Sequence, residues 1–223
     1  MFRIVEMKKL KLGCKPLDTL LGEGIESGII TKIYGEPGTG KTNVCLLASI
    51  QCAQAGKKVV YIDTEGVSIE RLRQMCADRD FKKIFDNILF FRPNSFEQQE
   101  ENINEALKID DVDLIVVDTI NMFYRMKLED DKDGVMRCFT RQVGNLQIAT
   151  REKNLFVLVV EQVYTDKNGE IKPFTNRDTE YMIKTVIILE KKGIAQRQAT
   201  IIKHRSQPEG KKTCFKITAS GLE

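Results

Sequence analysis

The sequence predicts an α/β fold, a mostly parallel central sheet flanked by helices on both faces and closed by a C-terminal antiparallel hairpin. Three observations predict it. Apolar, β-rich runs recur along the chain with helical patterns between them. Most of these runs are near-continuous rather than alternating, as strands buried on both faces must be. A glycine-rich loop joins the first of them to a helix.

Six runs read as strands: GIITKIYG (28–35), KKVVYIDT (57–64), NILFFRP (87–93), DLIVVDT (113–119), LFVLVVEQ (155–162) and TVIILEK (185–191). After the first, Val44, Leu47, Ala48, Cys52 and Ala55 recur at three-to-four spacing, and Gly56 ends the helix. Ser68–Asp78, Phe96–Lys108 and about Gly134–Lys153 carry similar helical patterns. Residues 197–218 hold two β-rich runs joined by HRSQPEG, with Pro208 and Gly210 as turn residues, and read as a hairpin added to the sheet edge.

At 223 residues the chain fits one domain, 1–223, with a substantial core. Hydrophobic residues make up 42% and charged residues 30%, so the chain is globular rather than disordered. With 35 basic and 32 acidic residues the net charge is +3, which excludes the strongly basic footprint of a dedicated nucleic-acid binder and leaves only local contact. Cys14, Cys45, Cys52, Cys76, Cys138 and Cys214 are scattered, without the pairing of a zinc site or disulfide scaffold. They read as reduced thiols. No run has signal-peptide or membrane-spanning character, so a cytoplasmic protein with no membrane contact is expected.

Gly35, Glu36, Pro37, Gly38, Thr39, Gly40, Lys41 and Thr42 match G-x-x-x-x-G-K-[ST] at every fixed position, with Asn43 next. Glycines let successive backbone N–H groups turn inward as an anion nest, and the following helix adds its free amides and positive dipole end. Lys41 then supplies a point charge to the β and γ phosphates of ATP, and Thr42 a hydroxyl to Mg2+. The loop follows a strand and opens a helix, as that mechanism requires. Asp118 ends the apolar run of 113–119 and is the candidate second Mg2+ group, acting through a water; capping of the next turn is the alternative. Asp113 reads as a solvated turn residue before the strand. In VVYIDTEG, Glu65 is the candidate to orient or deprotonate a water, with Asp63 bonding loop amides. No N-K-x-D motif marks a GTPase and no arginine-rich lid marks a nucleoside kinase. Residues 120–134 read as a charged, mobile insertion.

Taken in series, the loop, DTEG, DTINMFYR, EQV and the HR..PEG hairpin resemble the RecA/RadA recombinase family over nearly the whole chain, most closely its archaeal RadB branch. The resemblance implies a RecA-like P-loop ATPase core that binds ATP and Mg2+ and hydrolyses it weakly. It implies an accessory of DNA repair and homologous recombination without strand exchange of its own. It puts Glu65 on the catalytic glutamate, Arg71 on an arginine that stacks on adenine, and Gln162 on a glutamine that senses the γ-phosphate. Arg71 reads equally as a solvent-facing helix residue and Gln162 as a strand-end cap.

Two DNA-facing loops are implied at 124–134 and 163–181. The second holds Lys167, Lys172 and Arg177 against Asp166, Glu170, Asp178 and Glu180, which is no electrostatic groove, so weak DNA contact or a solvated insertion fits equally. Phe174 either stacks on a base or anchors the loop. The implied partners are a RadA-type recombinase, a Holliday-junction nuclease and a second copy in a homodimer. His204, Arg205 and Pro208 are candidates for contact with a neighbouring protomer's ATP or a partner; a solvated turn is the alternative. Departures from the family are expected too: no N-terminal helical DNA-binding domain, a Phe2-Arg3-Ile4-Val5 stretch that does not fit the aromatic anchor, and Glu161 where relatives carry asparagine. A non-catalytic ATP-dependent docking switch and a KaiC-like regulatory ATPase without DNA function are the other readings.

Overall fold

Residues 6–128, 131–169, 171–174 and 176–223 are described by a computed structural model of the chain. Lys9–Leu10 (β1) and Ile25–Glu26 (β2) form a short antiparallel ribbon around α1 (Lys15–Leu20). Then come β3 (Ile29–Gly35), α2 (Lys41–Gln54), β4 (Lys58–Asp63), α3 (Ile69–Cys76), α4 (Phe81–Phe85), β5 (Ile88–Phe91), α5 (Phe96–Lys108) and β6 (Val112–Asp118). The second half runs through α6 (Met122–Lys127), α7 (Lys132–Lys153), β7 (Phe156–Glu161), β8 (Val163–Thr165), β9 (Ile171–Pro173), α8 (Arg177–Met182), β10 (Thr185–Lys191), β11 (Gln196–Lys203), β12 (Lys212–Thr218) and β13 (Gly221–Leu222).

The central sheet orders these strands β13-β12-β11-β10-β3-β7-β6-β4-β5. From β10 to β5 every neighbour is parallel; β11, β12 and β13 extend the sheet antiparallel. The continuous apolar runs thus split by alternation onto two buried faces. On β6, Leu114 and Val116 join the layer of α2, while Ile115 and Val117 join that of α5 and α7. The edge strand β5 is the exception, with Leu89 exposed.

Five helices start where a short polar side chain takes a first-turn amide: Ser68 from Arg71, Asp80 from Lys83, Ser95 from Gln98, Asp131 from Gly134 and Asn176 from Thr179. The long helix α2 differs. It opens from Gly40 at φ +99° with no side-chain cap and no acid in its first turn, so its leading N–H groups stay open.

Three expectations need correction. The segment after β6 is not an open insertion: Met122–Lys127 is helical, Tyr124 is buried against Phe139 with ring centroids 4.3 Å apart, and α7 begins at Lys132 once Asp131 caps it. The described residues of 163–181 are likewise built, with β8 paired to β9 and α8 following. Asp113 lies inside β6 and faces Lys57 at 3.5 Å rather than sitting in a turn. The Phe2–Val5 stretch, read as not fitting the aromatic anchor, and Glu170 lie outside the described residues. Among the described residues no helix is long and apolar enough to cross a membrane. All six thiols are free; burial pushes Cys52 up to about 12 and Cys45 well above the usual thiol range.

Candidate nucleotide site

The glycine loop, 35–42, leaves the carboxyl end of β3. Gly35 is obligatory there, because a Cβ would meet the Leu189 carbonyl oxygen of β10 at 2.2 Å. Behind the loop, Arg197 Nε donates to Gly38 O at 3.0 Å, and Thr39 Oγ1 donates to Glu36 O at 2.8 Å. Glu36, Pro37 and Gly38 are exposed. Lys41 folds into the mouth, donating to Gly35 O (2.7 Å) and Glu36 O (3.0 Å). Burial lowers its pKa, opposed by the charges of Glu65 and Asp118. A cation, open amides and glycine backbone therefore meet at the start of α2, the arrangement an oligophosphate needs.

Asp118 ends β6 beside Asp63 of β4. Tyr61 Oη donates to its Oδ2 at 2.8 Å, while Oδ1 is buried without a partner. Burial raises its pKa to about 6, against the Tyr61 and Thr42 hydroxyls that favour the anion. An orphaned carboxylate oxygen beside a hydroxyl is an oxygen-only donor set that fits Mg2+. No group of three His, Cys, Asp or Glu forms an all-protein cage among the described residues, and Mg2+ at phosphates uses one or two carboxylates. The Asp118–Thr119 peptide is cis.

Asp63 accepts from the amides of Gly66 and Val67, both at 2.8 Å, and faces Arg92 at 3.4 Å. That ties down the turn and leaves Glu65 projecting, exposed, at the strand ends. Glu65 Oε1 accepts from Gln162 Nε2 at 2.5 Å and from Thr119 Oγ1 at 3.2 Å. Gln162 in turn accepts from Arg125 at 2.7 Å. Lys41, Thr42, Asp118, Glu65 and Gln162, drawn from three strand ends and one helix, are thus brought to one end of the sheet.

Two residues not singled out from the sequence complete this corner. Asn121, wholly buried, accepts from Gln162 N (2.8 Å) and donates to the carbonyls of Gln162 (3.0 Å) and Phe174 (3.1 Å). A lone amide in the apolar stretch Ile120–Tyr124 was its signal. Arg125 also lies over the Phe174 ring, 4.6 Å from its centroid, and Phe174 packs on Tyr164 at 4.6 Å. Phe174 is therefore held by its own chain. Lys172 pairs with Asp166, which removes one cation from the second loop.

Arg71 is not a free helix arginine. Its guanidinium joins Asn43 Oδ1 (3.0 Å) to the carbonyls of Thr218 (2.9 Å) and Ala219 (2.8 Å), strapping the C-terminal strands to α2. His204, Arg205 and Pro208 stand apart from the rest. β11 starts at the glycine loop and runs antiparallel for eight residues, so the turn after it lies about 24 Å away, at the amino ends of the parallel strands. There His204 Nδ1 accepts from Ser206 N (3.1 Å) and Gln207 N (3.2 Å), and burial lowers its pKa. Arg205 reaches Glu26 at 3.6 Å, and Pro208 O accepts from Lys211 N at 3.3 Å.

The Rad51 family profile matches residues 3–223. The chain is 43% identical over 220 residues to the DNA repair and recombination protein RadB of Methanococcoides burtonii, covering 96% of this chain and 97% of that one. It is 37% identical over 222 residues to the protein of the same name from Thermoplasma acidophilum, covering 97% and 94%. Among solved structures, a RadB recombinase crystal structure superposes with a TM-score of 0.85 at 34% identity, over 96% and 98% of the two chains.

Proposed function

The chain belongs to the Rad51 family, and from that premise we propose that it is an ATP-binding, weakly ATP-hydrolysing accessory of DNA repair and recombination. The observation that carries this reading is the convergence of Lys41, Thr42, Asp118, Glu65 and Gln162 around the glycine loop, with one buried Asp118 oxygen left unpartnered. In this reading Gly35–Thr42 and the amides of α2 bind the phosphates, Lys41 leaves its carbonyl partners for the β and γ oxygens, and Asn43 and Arg71 border the adenine side. Thr42 and Asp118 hold Mg2+, Asp118 through a water. An ion held there would offset phosphate charge where it builds up during transfer.

Glu65 orients a water toward the terminal phosphate and takes its proton. Gln162 reports that phosphate to the 163–181 region. Hydrolysis is slow because the nearby arginines are committed elsewhere: Arg71 to Thr218 and Ala219, Arg125 to Gln162, Arg197 to Gly38. Among the described residues no charge clamp on the transition state is then complete within one chain. The turn at His204, Arg205 and Pro208 projects from the opposite end of the sheet, where it can meet nucleotide on a second copy or a RadA-type recombinase.

A switch without turnover is the second reading. It is favoured by one contact, the hold of Gln162 and Thr119 on Glu65 Oε1, which ties up the carboxylate and links it to the loop instead. Single-turnover hydrolysis by Glu65→Gln separates the two. Loss of about 100-fold or more with ATP binding retained supports the base role; an unchanged rate sinks it and leaves the switch.

A further inference from the structure

Lys32 sits in the middle of β3, between Ile30 and Tyr34, with no exposed surface. Its side chain enters the layer of α5 and α7, where its strand neighbours are apolar. A buried ammonium is costly unless paired, so its partners must be strongly specified. Nζ lies 3.1 Å from Glu161 Oε2, on a side chain 1% exposed at the end of β7, and donates to Glu180 Oε1 on α8. Glu161 immediately precedes Gln162, and Glu180 lies in the helix that ends the segment begun by Gln162. One cation therefore touches the chain just before and just after residues 162–176.

The surroundings reinforce that placement. Lys203 of β11 donates to the carbonyls of Glu180 (3.0 Å) and Ile183 (2.7 Å), at the C-terminal end of α8. Asn121 holds Gln162 and the Phe174 carbonyl from the other side. Neither Glu161 oxygen receives a hydrogen bond of good geometry, so the Lys32–Glu161 contact is held by charge while the carboxylate is ionised. Two carboxylates share one ammonium, and the grip on β7 depends on where α8 lies.

We propose that Lys32 is a positioning residue for Gln162: by gripping Glu161 before the 162–176 segment and Glu180 after it, it sets the reach of the Gln162 amide toward Glu65. The inference rests on the reading of Gln162 as the group that answers to the terminal phosphate. Displacements near 1 Å are enough to spoil such a contact.

The test uses the full chain with two variants that orphan no buried charge, Glu180→Gln and the double change Lys32→Met, Glu161→Gln. Amide hydrogen exchange is read without nucleotide, and ATP and ADP affinities are read by competition. Exchange over 163–182 is expected to quicken about fivefold or more while 157–160 stays protected. The preference for ATP over ADP is expected to fall about fivefold, with ADP affinity held. Unchanged exchange in both variants overturns the clamp. Faster exchange with the ATP preference intact, or with both affinities falling together, reduces Lys32 to a structural ion and overturns the positioning role. A wild-type chain that does not separate ATP from ADP defeats the reading of Gln162 and with it the positioning role; the exchange data then report the clamp alone.

Discussion

Asn121→Ala removes a side chain that makes three hydrogen bonds from a fully buried position, at 2.8, 3.0 and 3.1 Å. A neutral hydrogen bond contributes about 1 kcal/mol net, and the freed groups of Gln162 are only part-buried, so water repays some of the loss. The expected destabilisation is about 2–3 kcal/mol. For a chain of this size that is a fall of roughly 5–10 °C in melting temperature. Because two of the bonds end on Gln162, the variant must also loosen the Gln162 contact to Glu65. Urea titration reads the first effect, and the ratio of ATP to ADP affinity reads the second. Asn121→Asp sharpens the case, since it keeps the acceptor for Gln162 N but turns a carboxylate oxygen toward two carbonyls; it should be at least as damaging. A loss under about 0.5 kcal/mol in Asn121→Ala, or full stability in Asn121→Asp, would refute the assignment of Asn121 as the clamp on this corner.

Further outcomes follow from the same geometry. Glu161 has its pKa raised to about 7 from 4.5, chiefly by burial, so the native state holds its proton more tightly. Its contribution to stability is present below about pH 4.5 and is lost as pH rises through about 7, by at most roughly 3 kcal/mol. Glu161→Gln should flatten that part of the stability profile between pH 5 and 8, and parallel profiles would count against it. Gly35→Ala drives a methyl into the Leu189 carbonyl and should abolish ATP binding while costing stability, whereas Gly56→Ala meets no atom within 4 Å and strains only its φ of +76°. Arg205→Ala should weaken nucleotide binding or hydrolysis only at protein concentrations where copies associate; wild-type behaviour at every concentration removes the trans-contact idea.

The parallel sheet was legible because its strands are continuous apolar runs, and the loop because G-x-x-x-x-G-K-[ST] carries its own mechanism. Helix α5 is bounded as its 3.6-residue pattern set it, at Phe96 and Lys108. The segments after β6 and β7 were less legible for a physical reason. Charge-rich stretches read as solvated loops, yet α6 is fixed by Tyr124 on Phe139, the β8–β9 hairpin by Tyr164 on Phe174, and α8 by Lys32 reaching Glu180 across 148 residues. Such long-range contacts leave no local period. Arg71 shows the same limit: its carbonyl partners lie at Thr218 and Ala219, where no motif points. Glu161 was visible only as a departure from the family asparagine, and its meaning required the lysine two strand positions before Tyr34.

The most direct measurement is equilibrium binding of ATP with Mg2+ to the wild-type chain and to Lys41→Ala, whose ammonium otherwise sits 2.7 Å from Gly35 O in the loop mouth. One ATP per chain is expected for the wild type, with binding weakened about 10- to 100-fold in the variant, the worth of one charge-assisted contact. Equal affinity in the two proteins, or no binding to the wild type, would contradict it.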